Sequence, residues 1–138
     1  MDTSVEALHA LALSGFSAAA GAEVVAHHTA GDYAVVYVVP RSGTEQGEYM
    51  GTYRRAATGW RELAGGDAGG EQWTDTSAED SDVEVGVLAA GGQLAKPGRL
   101  RVECEGQVVD LDCLQPYWVA CFPQVSVSAG VRLLQSDG

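Results

Sequence analysis

The stretch GRLRVECEGQVVDLDC, Gly98 to Cys113, decides the fold class. Two runs of alternating apolar and polar residues flank Glu105-Gly106, the pattern of two half-buried strands joined by a two-residue turn. With that pair at the tip, Cys104 faces Gln107 and Val102 faces Val109. Leu100, Val102, Cys104, Val109, Leu111 and Cys113 then share the core side. Arg99, Arg101, Glu103, Asp110 and Asp112 share the water side, where Asp110 and Asp112 serve solubility. A longer turn with a bulge is the competing arrangement, because Glu at positive φ is less favoured than Asn or Asp, and it shifts the register by one residue.

Outward from this hairpin the chain repeats the same kind of unit. Downstream, YWVACFP sets Trp118, Ala120 and Phe122 on one face and Tyr117, Val119 and Cys121 on the other, bracketed by Pro116 and Pro123. VSVSAGVRLLQS supplies one or two final strands. Upstream, VEVGVLAAGGQLA resumes the β pattern from Val83. AEVVAHHT and YAVVYVV form a hairpin tipped near Ala30-Gly31, apolar on both faces as mid-sheet strands are. EYMGTYRRA and GWRELA form another around Thr58-Gly59, with Arg55 opposite Glu62 and Tyr53 opposite Ala64. Arg54, Arg55 and Arg61 on that hairpin read as a solvated strand face. At the other end, Thr3-Ser4-Val5-Glu6 reads as a capping box for a short helix with the stripe Val5, Leu8, Leu11 and Ala12, a stop at Gly15 and Phe16 anchoring the exit. The expected architecture is mainly β: an N-terminal helix packed on consecutive antiparallel hairpins, as a two-sheet sandwich or half-open barrel, with an α+β roll as the alternative.

At 138 residues the chain has the size of one domain. It divides into a helix plus four-strand meander over 1–64, an acidic Gly-rich loop over 65–82, and a β-hairpin module over 83–138. No apolar run approaches the roughly 18 to 20 residues of a membrane span. The apolar start carries Asp2 and Glu6 where a signal peptide has a basic region, so a cytoplasmic protein is expected. Three cysteines, an odd number, point to buried free thiols at Cys104 and Cys113 rather than a disulfide framework. The net charge of -11 argues against nucleic acid or an anionic membrane as partner and leaves a basic protein.

The run GDYAVVYVV, YRRAATGWRELAGG, a Gly-rich loop with Trp73, VGVLAAGG and RLRVECEGQVVDLDCLQPYWVACFP, within residues 31 to 134, resembles uncharacterised small β-rich proteins of actinobacteria. The resemblance implies a strand carrying G-x-V after a Trp-containing loop, and a hairpin before a short aromatic strand ending in Pro. It implies no activity. Seven Arg to one Lys accords with a GC-rich bacterial genome. A helix followed by GD-x-A-x-V and a meander ending G-W-R is also similar to the closing sheet of cystatin-like and NTF2-like domains, from which the chain departs by having its helix over residues 3 to 15 only.

Chemistry has few footholds. The chain has no G-x-S-x-G elbow, no phosphate-binding G-x-x-x-x-G-K-[ST] and no G-x-G-x-x-G after a strand. Cys104, Cys113 and Cys121 lack the paired spacing of a zinc site. The acids after Gly65 lack the alternation and central Gly of a calcium loop, so neither metal nor cofactor is expected. His9 lies off the helical stripe and reads as solvated. His27 and His28 are adjacent on one strand and point to opposite faces, so they do not chelate one metal together. Gly65 to Glu84 holds four glycines, seven of the nineteen acids and no basic residue. Its Trp73 either pins the loop to the sheet or anchors a partner. Function is therefore read first as a non-enzymatic interaction protein, accessory or immunity-type, contacting a basic partner through Trp73, Asp75, Glu79, Asp80 and Asp82. The alternative is a small-molecule-binding or cyclase/isomerase-type enzyme with a cavity between helix and sheet lined by His27, His28, Tyr33 and Tyr37. A DNA-mimicking inhibitor ranks third, since the acids cluster in one segment rather than along a face.

Overall fold

Alternating hydrophobicity needs a covering layer for every apolar face, and here strands apolar on both faces force a stack. A computed structural model describes residues 4–14, 16, 21–40, 48–67, 73–80, 85–94, 98–113, 116–125 and 130–136, with the backbone alone described at 67, 73–77, 79, 80, 85, 113, 135 and 136. The elements are α1 (Val5–Leu13), β1 (Glu23–Ala30), β2 (Tyr33–Val39), β3 (Tyr49–Ala56), β4 (Gly59–Asp67), β5 (Trp73–Asp80), β6 (Val85–Gln93), β7 (Gly98–Cys104), β8 (Gln107–Cys113), β9 (Tyr117–Val125) and β10 (Arg132–Ser136). They form three antiparallel sheets ordered β1-β2-β3-β4, β5-β6-β9 and β10-β7-β8. The protein is mainly β, a sandwich with one short N-terminal helix. Among the described residues no helix is long and apolar enough to cross a membrane.

The layers follow from which residues meet. Val87 and Ala89 of β6 and Val119 and Cys121 of β9 pack with Tyr33, Val35, Tyr37 and Met50 of the first sheet. The alternate residues Leu88, Ala90, Trp118, Ala120 and Phe122 pack with Leu100, Val102 and Cys104 of β7. The β5-β6-β9 sheet is thus the middle layer, buried on both sides. On the far face of the first sheet, Ala34, Val36, Val38 and Tyr53 receive Leu8 and Ala12 of α1. β1 lies beside β9 and β4 approaches β5, and among the described residues no hydrogen-bonded barrel closes. Each large apolar side chain fully buried in these layers contributes about 1.5–3 kcal/mol relative to exposure.

The Gly98–Cys113 hairpin has the expected register, Cys104 opposite Gln107 and Val102 opposite Val109. Glu105 at φ 47 and Gly106 at φ 83 make the two-residue turn, so Glu accepts positive φ where the hairpin twist demands it. Outside, Arg101 Nε donates to Asp110 Oδ1 at 2.9 Å. Gln107 Nε2 donates to the Pro123 carbonyl at 2.6 Å, tying the turn to the middle sheet.

Local readings are corrected in several places. Ser4, extended at φ -71 and ψ 165, caps α1 by accepting from the Ala7 amide, so helical geometry starts at Val5; Thr3 and Gly15 lie outside the described residues. Val5 stays 43% exposed while Leu8 and Ala12 carry the helix's burial. The first hairpin turns at Gly31-Asp32, where Gly31 supplies φ 60. The second turns at Ala57-Thr58, one residue earlier than expected, which sets Arg55 opposite Trp60 and Tyr53 opposite Glu62, and a bulge at Thr52/Tyr53 shifts the register only beyond them, from Thr52 opposite Ala64. Arg55 accordingly stacks over the Trp60 ring at 5.0 Å rather than pairing across to Glu62. β9 runs through Pro123 instead of ending there. The Cys121 amide points to the free edge of β9, and so does the position of Pro123 two residues on, where no ladder bond is lost.

Candidate functional site

Gly65, Gly66 and Asp67 complete β4, and Trp73–Asp80 form β5, so much of the segment expected to be a loop is strand. Residues 68–72 and 81–84, including Asp82, lie outside the described residues. The cause is non-local: β5 pairs along its whole length with β6, from Trp73 opposite Gly92 to Asp80 opposite Val85. The Trp and the threonines of WTDTSAED suit a pleated surface, and Ala78 is buried. Among the described residues β5 is hydrogen-bonded to β6 alone, at the end of its sheet. Carboxylates on such an edge discourage self-association, a job that gives an edge strand the composition of a loop. Asp75, Glu79 and Asp80 therefore lie on a strand that ends its sheet, with Trp73 at its start.

No protein-family model, curated protein or solved structure matches the chain. Its function is read from its own geometry.

β1 carries its two histidines to opposite faces, as alternation requires. His28 turns toward the middle sheet, where Nδ1 accepts from the Cys121 amide at 3.0 Å. It thereby satisfies a donor of β9 that, among the described residues, no strand pairs with, and the accepting Nδ1 puts the proton of the neutral ring on Nε2. Burial, and then the His27 charge, lower its pKa. Burial also pushes the Cys121 thiol up to about 12. His27 turns the other way, to α1, and its Nδ1 lies 3.2 Å from His9 Nε2 with the rings edge-on at 4.8 Å. His9, expected to be solvated alone, is thus paired, and burial followed by His27 lowers its pKa against the pull of Glu6. Tyr33 and Tyr37 face the middle sheet. His27 alone of the four cavity candidates faces the helix, so they do not line one helix-to-sheet cavity.

A polar cluster that the sequence did not single out closes one end of the core between the first and middle sheets. The Tyr37 hydroxyl donates to Glu48 Oε1, and Gln93 Nε2 donates to the same oxygen at 3.2 Å. The Tyr117 ring lies 5.2 Å from that of Tyr37. Burial, then the Glu48 hydrogen bond and charge, raise the pKa of Tyr37, so the phenol remains a donor and Glu48 its acceptor. On the helix side, Tyr49 donates to Glu62 at 2.6 Å, and among the described residues the buried Tyr53 hydroxyl has no hydrogen-bond partner. No local sequence signal marks Glu48. Its partners are 11 and 45 residues away and meet it only through sheet stacking.

Proposed function

We propose that the protein is a non-enzymatic interaction module, accessory or immunity-type, that takes a basic extended partner segment along the outer edge of β5. The observation that carries this reading is the position of Asp75, Glu79 and Asp80 on a strand that ends its sheet. A peptide adding to such an edge gains main-chain hydrogen bonds, while opposite charge sets its orientation and speeds encounter. Trp73 is the aromatic anchor in this reading, and Asp82, outside the described residues, adds its charge in sequence. A cytoplasmic, actinobacterial setting belongs to the same proposal.

The test is fluorescence anisotropy with a labelled peptide alternating Lys or Arg with Val or Thr, and with its Glu-substituted counterpart. Wild type should bind the basic peptide alone, more weakly as salt rises. Exposed pairs are worth about 0.2–1 kcal/mol each, so the combined variant Asp75→Asn, Glu79→Gln, Asp80→Asn should lose about three- to 150-fold in affinity. Equal binding of both peptides, or of wild type and variant, contradicts the proposal.

A second reading, small-molecule binding, is favoured by the convergence of Tyr37 and Gln93 on Glu48, with the Tyr117 ring against that of Tyr37. It requires a metabolite-induced rise in melting temperature that Glu48→Gln removes.

A further inference from the structure

The two rings that meet between α1 and β1 stand apart from the β5 edge and from the Glu48 cluster. His9 comes from the helix and His27 from the first strand, 18 residues later, and their facing nitrogens are 3.2 Å apart. Imidazole nitrogens bind zinc at about 2.0–2.1 Å, so two donors at this separation subtend roughly 100–106° at a shared ion. That lies close to the tetrahedral angle. Adjacent imidazoles in a hydrogen bond need only exchange the bridging proton for a metal, with modest rotation of two surface side chains. Glu6, one helical turn before His9, acts on it electrostatically and adds negative potential at the position a cation would take.

We propose that His9 Nε2 and His27 Nδ1 form a two-histidine clip for a borderline divalent transition ion of the Zn2+, Ni2+ and Cu2+ class, fastening α1 to the first sheet. Imidazole suits these ions, whereas Mg2+ and Ca2+ demand oxygen donors. Among the described residues no group of three or more His, Cys, Asp or Glu is gathered, so water completes the coordination sphere. The clip is exchangeable rather than a closed structural site, and Cu2+ binds it most tightly of the three. Because the two donors sit on different elements, the folded chain binds the ion and the unfolded chain lacks the site, so binding raises the melting temperature.

The experiment uses untagged full-length protein in excess magnesium, titrated calorimetrically with NiCl2 and with ZnCl2, alongside His9→Gln and His27→Gln. The expected result is one saturable equivalent and an upward melting shift in wild type, both lost in either variant. Circular dichroism confirms that these substitutions at the surface leave the fold intact. In wild type, substoichiometric Cu2+ should broaden the imidazole NMR signals of His9 and His27 before that of His28. No saturable equivalent in wild type, binding that survives removal of either ring, or broadening centred on His28 or on the carboxylates of β5 overturns the proposal.

Discussion

Leu88→Ala and Val87→Ala are adjacent substitutions on β6, and in a sheet covered on one face only one of them would matter. In the three-layer stack both residues are core: Leu88 is 1% exposed and packs toward β7, while Val87 is 0% exposed and packs toward the first sheet. Deleting the Leu88 side chain removes buried methyl groups and leaves a cavity between rigid layers, a loss of about 2–5 kcal/mol. Val87→Ala removes two buried carbons at about 0.8 kcal/mol each before any cavity cost, so about 2 kcal/mol is expected. Urea unfolding followed by tryptophan fluorescence reads both as midpoint shifts at constant slope. With a slope of roughly 2 kcal/mol per M, the expected shifts are about 1 M or more. Val108→Ala on the outer face, where Val108 is 51% exposed, is the control and should stay within about 0.5 kcal/mol of wild type. A result within that same margin for either Leu88→Ala or Val87→Ala refutes the middle-layer assignment.

Gly91→Val should destabilise by about 1–3 kcal/mol in the same assay, since even a Cβ there would lie 2.8 Å from Met50 Sδ and 3.0 Å from the Trp118 carbonyl; wild-type stability would mean that the first and middle sheets have room to spare. The pH dependence follows from His28 and His9, whose pKa values lie below the ordinary 6.5 in the folded protein. The unfolded chain takes up protons near 6.5 that the folded chain refuses, so stability is full above that pH and declines as pH falls through and below it. His28→Gln, which still offers an oxygen to the Cys121 amide without titrating, should flatten this slope, and an unchanged slope would remove His28 from the account. Thiol labelling of native protein with peptide mapping should leave the buried Cys104 and Cys121 unmodified until unfolding; rapid modification of either contradicts its packing.

Strict alternation made the central hairpin readable to the residue, because a one-place slip would move Leu100, Val102 and Cys104 from core to water. The same period separated Trp118, Ala120 and Phe122 from Val119 and Cys121, which the stack sends to different layers. What composition could not reveal is pairing. Glycine and carboxylates from Gly65 onward look like a loop because a polar edge strand is recognisable only from its neighbour β6. The turn at Ala57-Thr58 rather than Thr58-Gly59 likewise moves a register that looks self-consistent in one dimension. His9 with His27, and Glu48 with Tyr37 and Gln93, are contacts created by layering, and no local spacing announces them. The histidines of β1 were separable in advance, since neighbours on a strand must part.

The most direct test of the β5 edge as a binding surface is backbone amide NMR of the protein titrated with the basic alternating peptide. Shift changes and slowed hydrogen exchange concentrated on residues 73–80, with β8 and the Gly98–Cys104 strand unmoved, are the predicted outcome. Perturbations centred on the outer face around Arg99, Arg101 and Asp110, or spread evenly over the acidic surface, would contradict it.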